Sequence, residues 1–208
     1  MADKTDTTFM SIKEPFRYTF GVGVIPEDLS ELREEMDYRL GDDQGLNHLD
    51  ADNQILNKYP YSKKVLSNYF HHFSKQVFGY ANDFVITTSW LVRLKPGDTV
   101  REHWHANSYY SGLFYYGDYD GASGDIRFSN PIRESTSFQI QPGIFNAPMH
   151  QDWSFTPETN LLVMFPSSIR HHVDAYEGKE DRQSLAFNIV PKGRYGIGDS
   201  FIDTSWTQ

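Results

Sequence analysis

The chain has 208 residues, enough for one domain with a real core, and aromatic residues make up 15% of it against a total hydrophobic content of 38%. An interior so rich in rings suits a β-rich core with a pocket better than a leucine-packed helix bundle. The formal net charge is −9, with no run of Lys or Arg longer than two, and there is no cysteine. A nucleic-acid partner is therefore not expected, and disulfides and thiolate metal sites are excluded.

In chain order, residues 1–12 read as a polar, mobile start with no apolar signal segment. Residues 26–39 are predicted helical, with Pro26-Glu27-Asp28 at the front and Leu29, Leu32 and Met36 recurring near the helical period. Residues 41–53 form a Gly/Asp/Asn loop. A second helix is predicted over residues 61–78, with Val65, Tyr69, Phe70, Phe73 and Val77 on one face. No stretch reaches the ~18 apolar residues of a membrane span, so the chain reads as a cytoplasmic protein, and exposed Tyr and Phe would suit a homodimer.

From Phe84 the texture changes to short apolar or alternating runs at 84–94, 109–116, 125–129, 137–140, 160–165, 171–176 and 183–190, punctuated by Lys95-Pro96-Gly97-Asp98, residues 117–124, Pro142-Gly143, Pro166-Ser167-Ser168 and Glu177-Gly178-Lys179. Closely spaced short strands predict a sandwich or barrel. Helices first and strands after predict a mainly β (α+β) single domain over 1–208: a helical part at 13–83 packed outside, a β core at 84–191 and a polar tail at 192–208.

His103-Trp104-His105 follows the Pro96-Gly97-Asp98 turn. In extended backbone, positions 103 and 105 point the same way with Cβ atoms ~7 Å apart, and Trp104 points the other way. Two imidazoles so placed can close on iron, zinc, copper or nickel, and His171 or His172 could supply a third from a distant strand. His48, His71, His72 and His150 are read as ordinary histidines; adjacent helical positions such as 71 and 72 face about 100° apart. Downstream, strand parity puts Arg182, Ser184, Ala186 and Asn188 on one face, and Leu185, Phe187 and Ile189 on the other. A row of Arg, Ser and Asn can offer a guanidinium fork and hydrogen-bond donors to a carboxylate, or Arg182 could merely pair with Glu180 or Asp181 on a rim.

Together these residues resemble a known family. Ser89-Trp90-Leu91, Pro96-Gly97-Asp98, His103 to Ser108, Ser111 to Tyr116, Pro166-Ser167, His171-His172-Val173, Arg182-Gln183-Ser184 and Phe187-Asn188-Ile189 are similar, in that order, to the iron(II)/2-oxoglutarate-dependent oxygenase superfamily. They look in particular like a branch of uncharacterised oxygenases of bacteria and phages. The resemblance implies a jelly-roll, or double-stranded β-helix, with iron at its open end. It implies Fe(II) on His103 and His171, and 2-oxoglutarate held through its far carboxylate by Arg182 and Ser184, with Asn188 on the same face. The implied enzyme is a dioxygenase of hydroxylase type: it decarboxylates 2-oxoglutarate to succinate and CO2 and oxidises a C–H bond of a small-molecule or peptide substrate.

One position departs from the family pattern. Where the superfamily has a carboxylate two residues after the first histidine, this chain has His105. Either His105 completes a three-histidine site, or Asn107 or a remote carboxylate serves. The spacing Gly97, five residues, His103, one residue, His105 also resembles the start of the cupin pattern, which needs no 2-oxoglutarate. The cupin glutamate four or five residues further on is missing, since 109 and 110 are both Tyr, and Arg182-x-Ser184 is then unexplained. A non-catalytic jelly-roll is the third class. Residues 117–124 and 146–152 could line the mouth of a pocket.

Overall fold

The structure, a computed structural model, describes residues 18–33, 52–119, 124–131 and 152–205. The expected strand at 137–140, the start at 1–12, most of the loop at 41–53, and His48 and His150 lie outside these.

Two antiparallel sheets make the core. The larger has the order β1 (Gly21–Val24), β7 (Leu161–Pro166), β4 (Tyr110–Tyr115), β9 (Arg182–Lys192), β2 (Asp83–Leu94). The smaller runs β3 (Val100–His103), β8 (His171–Val173), β5 (Ile126–Phe128), β6 (Trp153–Phe155). A two-stranded ribbon, β10 (Arg194–Tyr195) with β11 (Ile202–Asp203), gives structure to the tail that its polar composition concealed. Strand and helix meet as three layers: helix α1 (Pro60–Phe78), the large sheet and the small sheet.

The central strands read as continuous apolar runs because both faces are covered. In β7, Leu161, Val163 and Phe165 join Ile126, Phe128, Ile169 and Val173 between the sheets, while Leu162 and Met164 face Leu66 and Phe70 of α1. β4 does the same: Leu113 and Tyr115 point between the sheets, Tyr110 and Phe114 towards α1. Gly112 is opposite Phe187 on β9, whose ring would lie 2.1 Å from an added Cβ. A side chain there would displace that ring from the core.

Strict alternation fails once, in β2, where the pairing with β9 shifts between Ile86 and Thr88. The extra residue of this bulge turns Ile86 to the helix side, with Leu91, while Val92 and Leu94 face the small sheet. Helix α1 begins with Pro60 in its first turn and ends at Gly79. Its most buried stripe is Ser62, Leu66, Phe70 and Ser74, whereas Val77, expected on the buried face, is 43% exposed. The two serines were invisible to an apolar pattern because they are buried with partners: Ser62 donates to Glu31 Oε1 and Ser74 to His71 O. Of the first predicted helix, residues 30–33 are helical and 26–29 are not; the remainder lies outside the described residues. No described helix is long and apolar enough to cross a membrane.

Candidate metal centre

The register of the small sheet brings the histidines together. His103, the last residue of β3, pairs with His171, the first of β8. Their ring centroids are 4.3 Å apart, and that of His105 lies 5.1 Å from His171 and 5.4 Å from His103. One ring nitrogen from each of the three falls within 4.8 Å of the others. His105 is not on the strand, as its spacing suggested, but just beyond it. It is held by a backbone bond from its N–H to Ser167 O at 3.0 Å, in the Pro166-Ser167-Ser168 turn. Trp104 points away from the cluster, half exposed, with the Arg170 guanidinium 4.6 Å over its ring.

Each imidazole is oriented through Nδ1. His103 Nδ1 lies 2.8 Å from Arg101 O, His171 Nδ1 3.0 Å from Ile169 O, and His105 Nδ1 2.6 Å from Asn188 Oδ1. These oxygens only accept, so Nδ1 carries the proton and donates in all three rings, leaving every Nε2 with a bare lone pair. Three convergent neutral nitrogens fit a divalent transition metal such as iron. Asn107 sits in a left-handed turn (φ 57°), exposed, and no carboxylate joins the cluster among the described residues. His172 faces the other way, its Nε2 3.5 Å from Asp174 Oδ1. His71 and His72 lie in α1, with ring centroids 6.2 Å apart.

Burial among Phe128, Phe165 and Trp90 keeps the His105 and His171 imidazoles neutral. Desolvation pushes His171 down to about 3, partly opposed by its bond to Ile169 O, and lowers His105 too. The folded value of His171 thus lies below the unfolded one, so unfolding takes up a proton between roughly pH 6.5 and 3. Stability of the metal-free protein is then full above about pH 6.5 and falls with pH below it, by up to about 1.4 kcal/mol per pH unit for this one group. Urea unfolding at pH 7, 6 and 5 tests this. His171→Asn should have a shallower slope than the wild type, and equal slopes would refute the assignment.

The second half of the site lies further along β9. Arg182 is 1% exposed, yet no carboxylate pairs with it among the described residues; Asp181 forms its ion pair with Arg93 instead. The rim pairing considered for Arg182 is thereby excluded. Its Nε donates to Gly124 O at 3.0 Å and its Nη2 to Tyr115 Oη at 2.8 Å, and the guanidinium carbon lies 4.9 Å from the Tyr115 ring centroid. Gly124 (φ +85°) could not be replaced cheaply, since an added Cβ would lie 2.8 Å from the Tyr176 ring and 3.3 Å from Arg182 Cδ. Ser184 Oγ, on the same strand face, is buried without a hydrogen-bond partner among the described residues. A buried cation without a counter-ion and a buried hydroxyl without an acceptor are each costly, and one anionic ligand would satisfy both. Burial pushes the Tyr115 phenol up, so it stays protonated. Tyr115 was missed in the sequence, although parity with Ser111 along β4 could have found it. Asn188, expected beside Arg182 at the anion, is instead engaged by His105, Ser111 and Thr88.

Residues 88–188 match the family model described as "Putative 2OG-Fe(II) oxygenase". The β core of this chain belongs to the 2OG-Fe(II) oxygenase family. Among solved structures the oxygenase core resembles a Pseudomonas putida prolyl-4-hydroxylase, at 15% identity and TM-score 0.54 over 85% of this chain and 94% of that one. It also resembles HygX from Streptomyces hygroscopicus, solved with nickel and 2-oxoglutarate bound, at 10% identity and TM-score 0.55 over 83% and 82%. A third is the epimerase SnoN, in complex with Fe3+, alpha ketoglutarate and nogalamycin RO, at 11% identity and TM-score 0.59 over 90% and 89%. At these identities the likeness is one of fold, and it identifies the two sheets of the oxygenase as a double-stranded β-helix. No curated protein matches the sequence.

Proposed function

We propose that this oxygenase is an Fe(II)- and 2-oxoglutarate-dependent dioxygenase of hydroxylase type, acting on a small molecule or peptide in the cytoplasm. The observation that carries this reading is the pairing, between the two sheets, of three bare Nε2 atoms with a buried Arg182 and a buried Ser184 Oγ that have, among the described residues, no carboxylate and no hydrogen-bond partner respectively. Iron would be held by His103, His105 and His171. It would supply the activation of dioxygen that couples decarboxylation of 2-oxoglutarate to oxidation of a C–H bond.

The protein's own residues do the rest. Arg182 and Ser184 anchor the far carboxylate of 2-oxoglutarate, the guanidinium by charge and the hydroxyl by one hydrogen bond. Tyr115 Oη already accepts from Arg182 and keeps its own proton for the ligand. Between Ser184 and Asn188 the inward side chain of β9 is the methyl of Ala186, the smallest in the strand, and the two residues are separated by ~13 Å of extended backbone. Phe128 and Phe165 wall the histidines from water. A cupin-type centre, also built from histidines, would leave Arg182 and Ser184 without a task.

Anaerobic addition of Fe(II) and then 2-oxoglutarate should give a weak visible charge-transfer band, because the diacid chelates the metal. With oxygen, slow succinate formation should follow without added substrate. A protein that binds Fe(II) but shows no band at millimolar 2-oxoglutarate would favour the cupin-type reading.

A further inference from the structure

The three imidazoles are not held alike. His103 and His171 each donate to a backbone carbonyl two residues earlier, Arg101 O and Ile169 O, an acceptor available in any sequence. His105 donates to a side chain, with Nδ1 2.6 Å from Asn188 Oδ1 and 2.9 Å from Ser111 Oγ. The amide is fixed from behind: Asn188 Nδ2 donates to Thr88 Oγ1 at 3.0 Å, which turns the carbonyl oxygen towards position 105.

A line of hydroxyls backs this contact. Ser111 Oγ lies 2.9 Å from Asn188 Oδ1 and 2.8 Å from Ser167 Oγ. Ser167 donates to Ser108 Oγ at 2.9 Å, and Ser108 ends the line on the carbonyls of Tyr110 (2.8 Å) and Ile189 (3.2 Å). Those terminal oxygens can only accept, so Ser108 and Ser167 direct their protons away from the imidazole. The single proton of Ser111 has an acceptor in Asn188 Oδ1 or Ser167 Oγ, so Ser111 meets the Nδ1–H of His105 as an acceptor. Two acceptors therefore converge on position 105. An imidazole, with a proton to give there and a lone pair opposite, satisfies them; a carboxylate has no proton to give.

We infer that Asn188, backed by Ser111, is a positioning residue that makes the third metal-ligand position specific for histidine. This rests on the reading that His105 is a ligand. The device lies where the chain departs from its family's carboxylate. It also gives Asn188 a task other than binding 2-oxoglutarate, since both ends of its amide are engaged and it stands six residues along β9 from Arg182.

The test uses Co(II), whose visible d–d bands report ligand geometry, on the full chain as His105→Ala, Asn188→Ala, Asn188→Asp and Ser111→Ala. Partners behind a metal ligand typically contribute ~10–100-fold to affinity. Asn188→Ala is expected to lose about that much and to shift the d–d bands, with Ser111→Ala losing less. Asn188→Asp, which keeps an acceptor oxygen in place, should recover most of the affinity. Thermal midpoints of the metal-free variants show whether each is folded. A folded Asn188→Ala with wild-type affinity and bands, beside a His105→Ala that has lost the metal, overturns the positioning role alone. So does an Asn188→Asp no better than Asn188→Ala. Wild-type Co(II) binding by His105→Ala overturns the ligand reading, and this inference with it.

Discussion

Replacing His171 by alanine should abolish high-affinity iron binding, and replacing its neighbour His172 should leave it nearly intact. The two residues are adjacent on β8, and adjacent strand positions face opposite sides. His171 is 4% exposed, with its ring 4.3 Å from that of His103, whereas His172 looks outward to Asp174 and stands opposite Arg127 in the register of β5. Losing one of three nitrogens should cost more than the ~10–100-fold typical of a partner behind a ligand. His103→Ala should behave as His171→Ala does. Anaerobic Fe(II) titration of the four proteins, with circular dichroism to confirm folding, decides the matter. Iron lost in His172→Ala, or retained in His171→Ala, would show that the cluster is not the metal site.

Replacing Arg182 by methionine should have effects of opposite sign on binding and on stability. A charge-assisted hydrogen bond contributes ~1.5–3 kcal/mol, and about 1.4 kcal/mol is tenfold, so 2-oxoglutarate should bind at least about tenfold more weakly. A merely structural arginine would destabilise the fold when lost. Here the buried guanidinium has no carboxylate partner among the described residues, and an apolar side chain of similar volume in such a place is often neutral or stabilising. The ligand-free variant should therefore melt at or above the wild-type temperature while its Fe(II) affinity is unchanged. Ser184→Ala, which removes one neutral hydrogen bond, should weaken 2-oxoglutarate less. An Arg182→Met protein that melts lower and binds 2-oxoglutarate as the wild type does would make Arg182 a core residue and nothing more.

Local chemistry was enough to determine much of this protein. Apolar or alternating runs between turn residues placed β2, β4, β7 and β9 to within a residue or two; β4 and β7, buried on both faces, are the most continuously apolar of them. Period-two alternation separated Arg182, Ser184 and Asn188 from Leu185, Phe187 and Ile189, since that spacing is a property of extended backbone and needs no partner strand. The same rule set His171 and His172 on opposite faces, and the resemblance chose between them.

Only the tertiary structure could decide the rest. β1, β3 and β6 are three or four residues long and partly polar, too short to show a period, and they are strands because a neighbour accepts their hydrogen bonds. His105 meets the other two histidines not through strand parity but through a backbone bond to Ser167, 62 positions away. Asn188 shares a face with Arg182, and nothing in its spacing distinguishes an anion donor from a partner of His105. That depends on Thr88, 100 positions distant, taking the amide N–H and so aiming the oxygen. Alternation along one strand tells which way a side chain points; what it meets there is set by the strands packed across from it.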